Sequence, residues 1–120
     1  MKKAILLTLL LFTKNVYAEA VVCDKMKGSL LDITNKYVDI NFSSEQEIIQ
    51  WSKDSDKMLF ITGDEQQEFF KIIDDDNYVR GVSASGGTFL LTYDKKDNKA
   101  FYSKHGLFIA QYFAKCKKMK

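Results

Sequence analysis

From Tyr78 to Cys116 the chain passes through four short stretches rich in β-formers, separated by gaps too short to contain a helix. YVRGVSAS (78–85) ends at the Gly86-Gly87 pair, a turn signal. TFLLTY (88–93) puts Phe89, Leu91 and Tyr93 on one face, because successive side chains of a strand point to opposite sides. The polar loop DKKDN (94–98) leads to KAFYSK (99–104), and after His105-Gly106 the run LFIAQYFAKC closes on Cys116. A parallel crossover needs a dozen residues or more, so connections this short predict an antiparallel meander.

The last of these runs is apolar on both sides. Leu107, Ile109 and Phe113 share one face, with Gln111 among them; Phe108, Ala110, Tyr112, Ala114 and Cys116 share the other. A sheet covered on one side alternates cleanly, so two apolar faces imply cover on both. A helix, the curl of a small barrel or a partner protein would each provide it.

The first half reads less clearly. SLLDIT (29–34) and YVDINF (37–42) have strand character, with a tight turn at Asn35-Lys36, and KMLFITG (57–63) is a third strand. Residues 44–54 carry Ser44 and Glu47 at capping-box spacing, and Ile48 and Trp51 fall on one helical face, yet EIIQW also reads as a strand. Residues 64–73 are equally double: Phe69, Ile72 and Ile73 suit a helix, Phe69, Lys71 and Ile73 a strand. The fold expected is mainly β, with α+β as the alternative. It is an antiparallel meander or small half-barrel of roughly 6–8 strands, with one or two short helices near 44–54 and 64–73 if those segments coil.

The chain has two cysteines, Cys23 and Cys116, near opposite ends. Their pairing follows from the leader. Lys2 and Lys3 precede an apolar run from Ala4 to Phe12, and Val16 and Ala18 are small residues spaced as a signal peptidase requires. Lys14 ends the run well short of the ~20 apolar residues of a membrane span. Val22 before Cys23 does not fit a lipidation site. The expectation is a bacterial-type signal peptide, residues 1–18, cleaved after Ala18, and a single small domain, 19–120, in the periplasm or secreted, with no membrane span after cleavage. In such a compartment two cysteines pair, which forces Cys23–Cys116. Redox chemistry is disfavoured, because Asp24 beside Cys23 raises a thiol pKa where a reactive thiol needs it lowered.

Cleavage changes the charge. The whole chain has 18 basic and 16 acidic residues; without Lys2, Lys3 and Lys14 the remainder has 15 against 16, a net of −1. Nucleic acid is thereby disfavoured as a partner, since phosphate affinity comes from excess Lys and Arg. The charges are segregated: Asp39 to Asp76 holds 11 acids and 3 lysines, whereas Lys95 to Lys120 holds 8 lysines and 1 acid.

Chemistry is hard to stage. His105 is the one histidine, at a strand break, and GVSASGG (81–87) fails the nucleophile-elbow pattern at Ser85. One histidine and two oxidised cysteines do not supply a zinc site. Asp74-Asp75-Asp76 fails the EF-hand spacing, with Tyr78 and Val79 where an acid and a glycine belong. The expectation is therefore no enzyme, no cofactor and no metal. The chain reads as a periplasmic binding module acting through protein–protein contact: an inhibitor, an immunity protein or an accessory of an envelope system. Its partner would be an envelope or secreted protein, met through Phe108, Tyr112, Asp74, Asp75 and Asp76. The alternative is a barrel-like binder of a small apolar ligand, with Phe89, Leu91 and Phe108 lining the pocket.

Overall fold

The computed structural model describes residues 19–31, 37–41, 46–83, 88–106 and 109–119. The expected leader, the expected turns at Asn35-Lys36 and Gly86-Gly87, and Phe108 lie outside them. Every regular element described is a strand: β1 (Glu19–Asp24), β2 (Lys27–Leu31), β3 (Tyr37–Asn41), β4 (Gln46–Trp51), β5 (Lys57–Thr62), β6 (Glu65–Asp74), β7 (Tyr78–Ser83), β8 (Thr88–Asp94), β9 (Lys99–His105) and β10 (Ile109–Lys118). The mainly-β expectation holds, and the helices allowed near 44–54 and 64–73 give way to β4 and β6.

All pairings are antiparallel, and eight strands close on themselves in the order β1-β4-β5-β6-β7-β8-β9-β10, with β10 returning to β1. The two further strands, β2 and β3, extend this ring as a hairpin built onto the first half of β10. β1 and β2 share one edge of β10 but not one register. Cys23 lies opposite Cys116 and Lys27 opposite Phe113, so four steps on one strand match three on the other. The extra residue falls at Lys25-Met26, a bulge that turns β2 out of the ring and leaves Met26 fully buried.

Period-two alternation places the core. In β4, Glu47, Ile49 and Trp51 are buried; in β5, Met58 and Phe60; in β8, Leu91 and Tyr93; in β9, Ala100 and Tyr102. Phe60, Phe69 and Tyr102 meet in the middle with ring centroids 5.1–6.4 Å apart, each contact adding about 1 kcal/mol beyond burial. Nearer one end Trp51 packs on Tyr93 at 5.4 Å. The next inward residues in the Tyr93 row are Ala100 and Ala114, small enough to admit that ring. Gly81 is inward for the same reason: a Cβ there would sit 2.7 Å from the Phe69 Cβ and 2.8 Å from the Met58 sulfur.

This pattern explains why β4 and β6 are strands. On a helix Ile48 and Trp51 would share a face; in β4 they face opposite ways, with Trp51 in the core and Ile48 on the outer wall. In β6 only Phe69 enters the core, while Phe70 and Ile72 stay outside, Ile72 at a register break opposite β7. Gly63, at φ 59°, makes the two-residue turn between β5 and β6, because a primed hairpin turn needs positive φ at that position.

Candidate functional site

Three places in this frame bring polar or exposed apolar groups together. The first is the end of the barrel where β4–β5, β6–β7 and β8–β9 turn. Lys71 points inward there and donates to the Ser52 carbonyl and to Asp74 Oδ2 at 3.0 Å. Lys95 donates to Asp74 Oδ1 at 2.8 Å and to the Asp75 carbonyl. Burial works to raise the Asp74 carboxyl, but the hydrogen bonds from Lys95 and Lys71 outweigh it and hold it below its ordinary value. Asp75 accepts from the backbone N–H groups of Tyr78 and Asn77, which lower its carboxyl too. Tyr93 donates to Asn98 Oδ1 at 2.7 Å across the next turn. This is a structural plug. Asp74, expected on a partner surface, is buried in ion pairs; Asp75 caps its own turn, and Asp76 is exposed beside it. Some of the charge segregation is resolved here, as Lys95 from the basic tail meets Asp74 from the acidic middle.

The second place is the inner wall beside the disulfide. Cys23 and Cys116 are bonded and are direct cross-strand partners on β1 and β10. On the other side of Cys23, in register, stands Glu47. It is fully buried and neither carboxylate oxygen has a hydrogen-bond partner. Desolvation pushes its carboxyl up to about 7; the nearby Met26 amide, outside hydrogen-bond geometry, and Lys25 pull back, and Asp24 adds to the rise. Farther round, Tyr102 donates to Gln67 Oε1 at 3.2 Å and stacks on Tyr112 at 5.9 Å, with the Lys104 ammonium over both rings. Tyr112, also expected on the partner surface, is thus half-buried against the core. Leu91, expected to line a ligand pocket, is fully buried in the core, and Phe89 packs partly buried against it.

The third place is outside. Phe101 on β9 and Phe113 on β10 are direct cross-strand partners, and they are 46% and 56% exposed. The row continues to Lys27 on β2 and Asn41 on β3, and the row beside it runs Gln111, Ser29, Asp39. Because β2 turns out at the bulge, these rows floor a recess of about 580 Å³ against the barrel wall. Gly28 makes the bend possible: a Cβ there would overlap the Gln111 carbonyl.

Of the two aromatic residues expected on a partner surface, Tyr112 lies in the lining of this recess and Phe108 is outside the described residues; Phe101 and Phe113 were not among those expected. A signal for which face is exposed was present. Ala110, Ala114 and the disulfide cysteine share a face with Tyr112, and small residues with a staple mark the packed side, which sends Phe113 outward.

His105 is exposed at the end of β9. Among the described residues no group of three His, Cys, Asp or Glu side chains is placed to hold a metal ion. No helix described is long and apolar enough to cross a membrane. The molecule belongs by architecture to the small closed antiparallel barrels, here eight strands with a hairpin attached. No protein family, characterised protein or solved structure matches it.

Proposed function

We propose that this protein is an exported binding module that acts by contact with an envelope or secreted protein, through the outer face of β9, β10, β2 and β3. The observation that carries the reading is the exposed Phe101–Phe113 pair beside the recess. Leaving two aromatic rings in water forgoes the gain of burying them, and interface cores are enriched in such residues with polar groups at the rim. Lys27, Ser29, Asp39 and Asn41 supply that rim. Phe70, Ile72 and Tyr78, on β6 and β7, are also exposed, but none of them lines the recess. Export is supported by the leader pattern and by the disulfide. The small-ligand alternative draws less support, since Leu91 is enclosed by other side chains.

A photo-crosslinking residue at Phe101 tests the reading, with one at Phe70 as the control, in protein expressed with its leader. A specific protein adduct at Phe101, lost on Phe113→Ser and absent at Phe70, is expected. Adducts equal at both positions, or none at Phe101, would sink the proposal.

A further inference from the structure

Every strand of the ring has a hydrogen-bonded neighbour on both sides, whereas β3 pairs among the described residues with β2 alone. Its other edge therefore presents a row of backbone N–H and C=O groups to whatever lies beside it, the template for strand addition. We infer that this edge takes up an extended segment of the partner protein as a further strand, and that the segment carries a basic residue opposite Asp39 between two apolar residues. The inference rests on the protein-contact reading above and names the kind of segment recognised.

The chemistry of β3 selects the occupant. Asp39 and Asn41 take the outward positions and Val38 and Ile40 the opposite face, by their register with Lys27 to Leu30. Val38 is 46% exposed and Ile40 half-buried, so an added strand gains by placing apolar residues opposite them. Asp39 is exposed, has no ion-pair partner among the described residues and lies on the rim of the recess. The position opposite it on an added strand therefore favours Lys or Arg. The same residue argues against a second copy of this chain. Antiparallel self-pairing that uses all of Tyr37–Asn41 puts Asp39 opposite Asp39, and like charges directly opposed destabilise a strand pair. Shifting the register to avoid this leaves part of a short strand unpaired. Proline and lysine, which commonly guard such edges, are absent from β3, and Asp39 is its one charge. The outward side chains of the added strand would complete the wall of the recess beside Phe101 and Phe113.

The test uses the full mature protein and a synthetic peptide that alternates valine with lysine and threonine. Amide hydrogen exchange at Val38–Asn41 is expected to slow on peptide addition, and backbone N-methylation of the peptide to abolish the effect. Asp39→Lys should weaken binding of this peptide by about tenfold and should favour a version with glutamate for lysine. Unchanged β3 exchange at high peptide, or binding indifferent to N-methylation, would overturn the inference. So would a dimer in sedimentation with β3 protected without peptide. The two readings separate in the cell. If Asp39→Lys leaves the Phe101 adduct intact, edge addition fails and the protein-contact reading stands; if Phe101 gives no adduct, the broader reading fails.

Discussion

A carboxylate sealed in the barrel wall without a hydrogen-bond partner is better accommodated with its proton than without it. Glu47 has a folded-state pKa of about 7, above the ordinary 4.5. Between those values the folded protein holds a proton that the unfolded chain has released. Stability therefore falls as pH rises from about 4.5 to about 7 and levels off above, by at most about 3 kcal/mol. Glu47→Gln removes this slope and is expected to stabilise the protein above pH 7 while changing little near pH 4.5; urea midpoints across that range measure it. Asp74 works in the other sense. Its lowered pKa contributes stability that is present above the ordinary 3.8 and lost as pH falls through the folded value. Together these two groups place the optimum on the mildly acidic side. Gly28 is constrained by space instead: Gly28→Ala drives a methyl into the Gln111 carbonyl, so a loss of about 2 kcal/mol or more is expected, with faster amide exchange confined to β2 and β3. None of this is legible in the sequence. Glu47 sits at capping-box spacing from Ser44, and only the pairing of Cys23 with it on one side and Thr62 on the other turns it inward.

Among the elements, the β1–β10 seam is the weak join of the ring. Its register runs over Val21–Lys118, Val22–Lys117 and Cys23–Cys116, with one further bond from the Met119 N–H to the Ala20 carbonyl, whereas β8 and β9 pair along their whole lengths. The disulfide stands at the last of those seam pairs, where the chain bulges away into β2. Joining residues 93 apart restricts the unfolded chain by about 4–5 kcal/mol in the chain-entropy account. Replacing both cysteines by alanine should lower stability on that scale. Native-state hydrogen exchange should then show β1 and the end of β10 opening before β8 and β9. Equal protection across the ring would show that the seam does not depend on the bond. The four runs from 78 to 116 were legible as strands because their alternation and turn residues agree. The segments now seen as β4 and β6 were not, since isoleucine and phenylalanine at adjacent positions satisfy both periods until neighbouring strands supply the hydrogen bonds.

At the scale of the whole molecule, the cysteines, the leader and the closed sheet support one account of the chain's life. Protein recovered from the periplasm should begin at Glu19 and weigh less than its dithiol form by the hydrogens lost to the Cys23–Cys116 bond. Intact mass measured without reduction checks both, and a mass retaining Met1 with free thiols would remove export. The surface changes with the fold as well. The Asp74 carboxylate is engaged by Lys71 and Lys95, while the Phe101–Phe113 pair and the edge of β3 join the partner-surface candidates. The candidate site was hard to read because it joins residues of four strands from both ends of the chain, Lys27 and Asp39 with Phe101 and Phe113.

The sequence alone determined the strand-forming second half, the forced disulfide partner and the net charge of residues 19–120. Those follow from local periodicity, from there being two cysteines and from counting. Closure was decided only by tertiary structure. Whether an apolar run on both faces is covered by a helix, a partner or its own sheet depends on β10 finding β1, a contact between the two ends of the domain. The same closure buried Glu47, left Tyr112 half-buried against the core and left β3 paired, among the described residues, with β2 alone, because burial and pairing belong to the assembled sheet and not to any one segment.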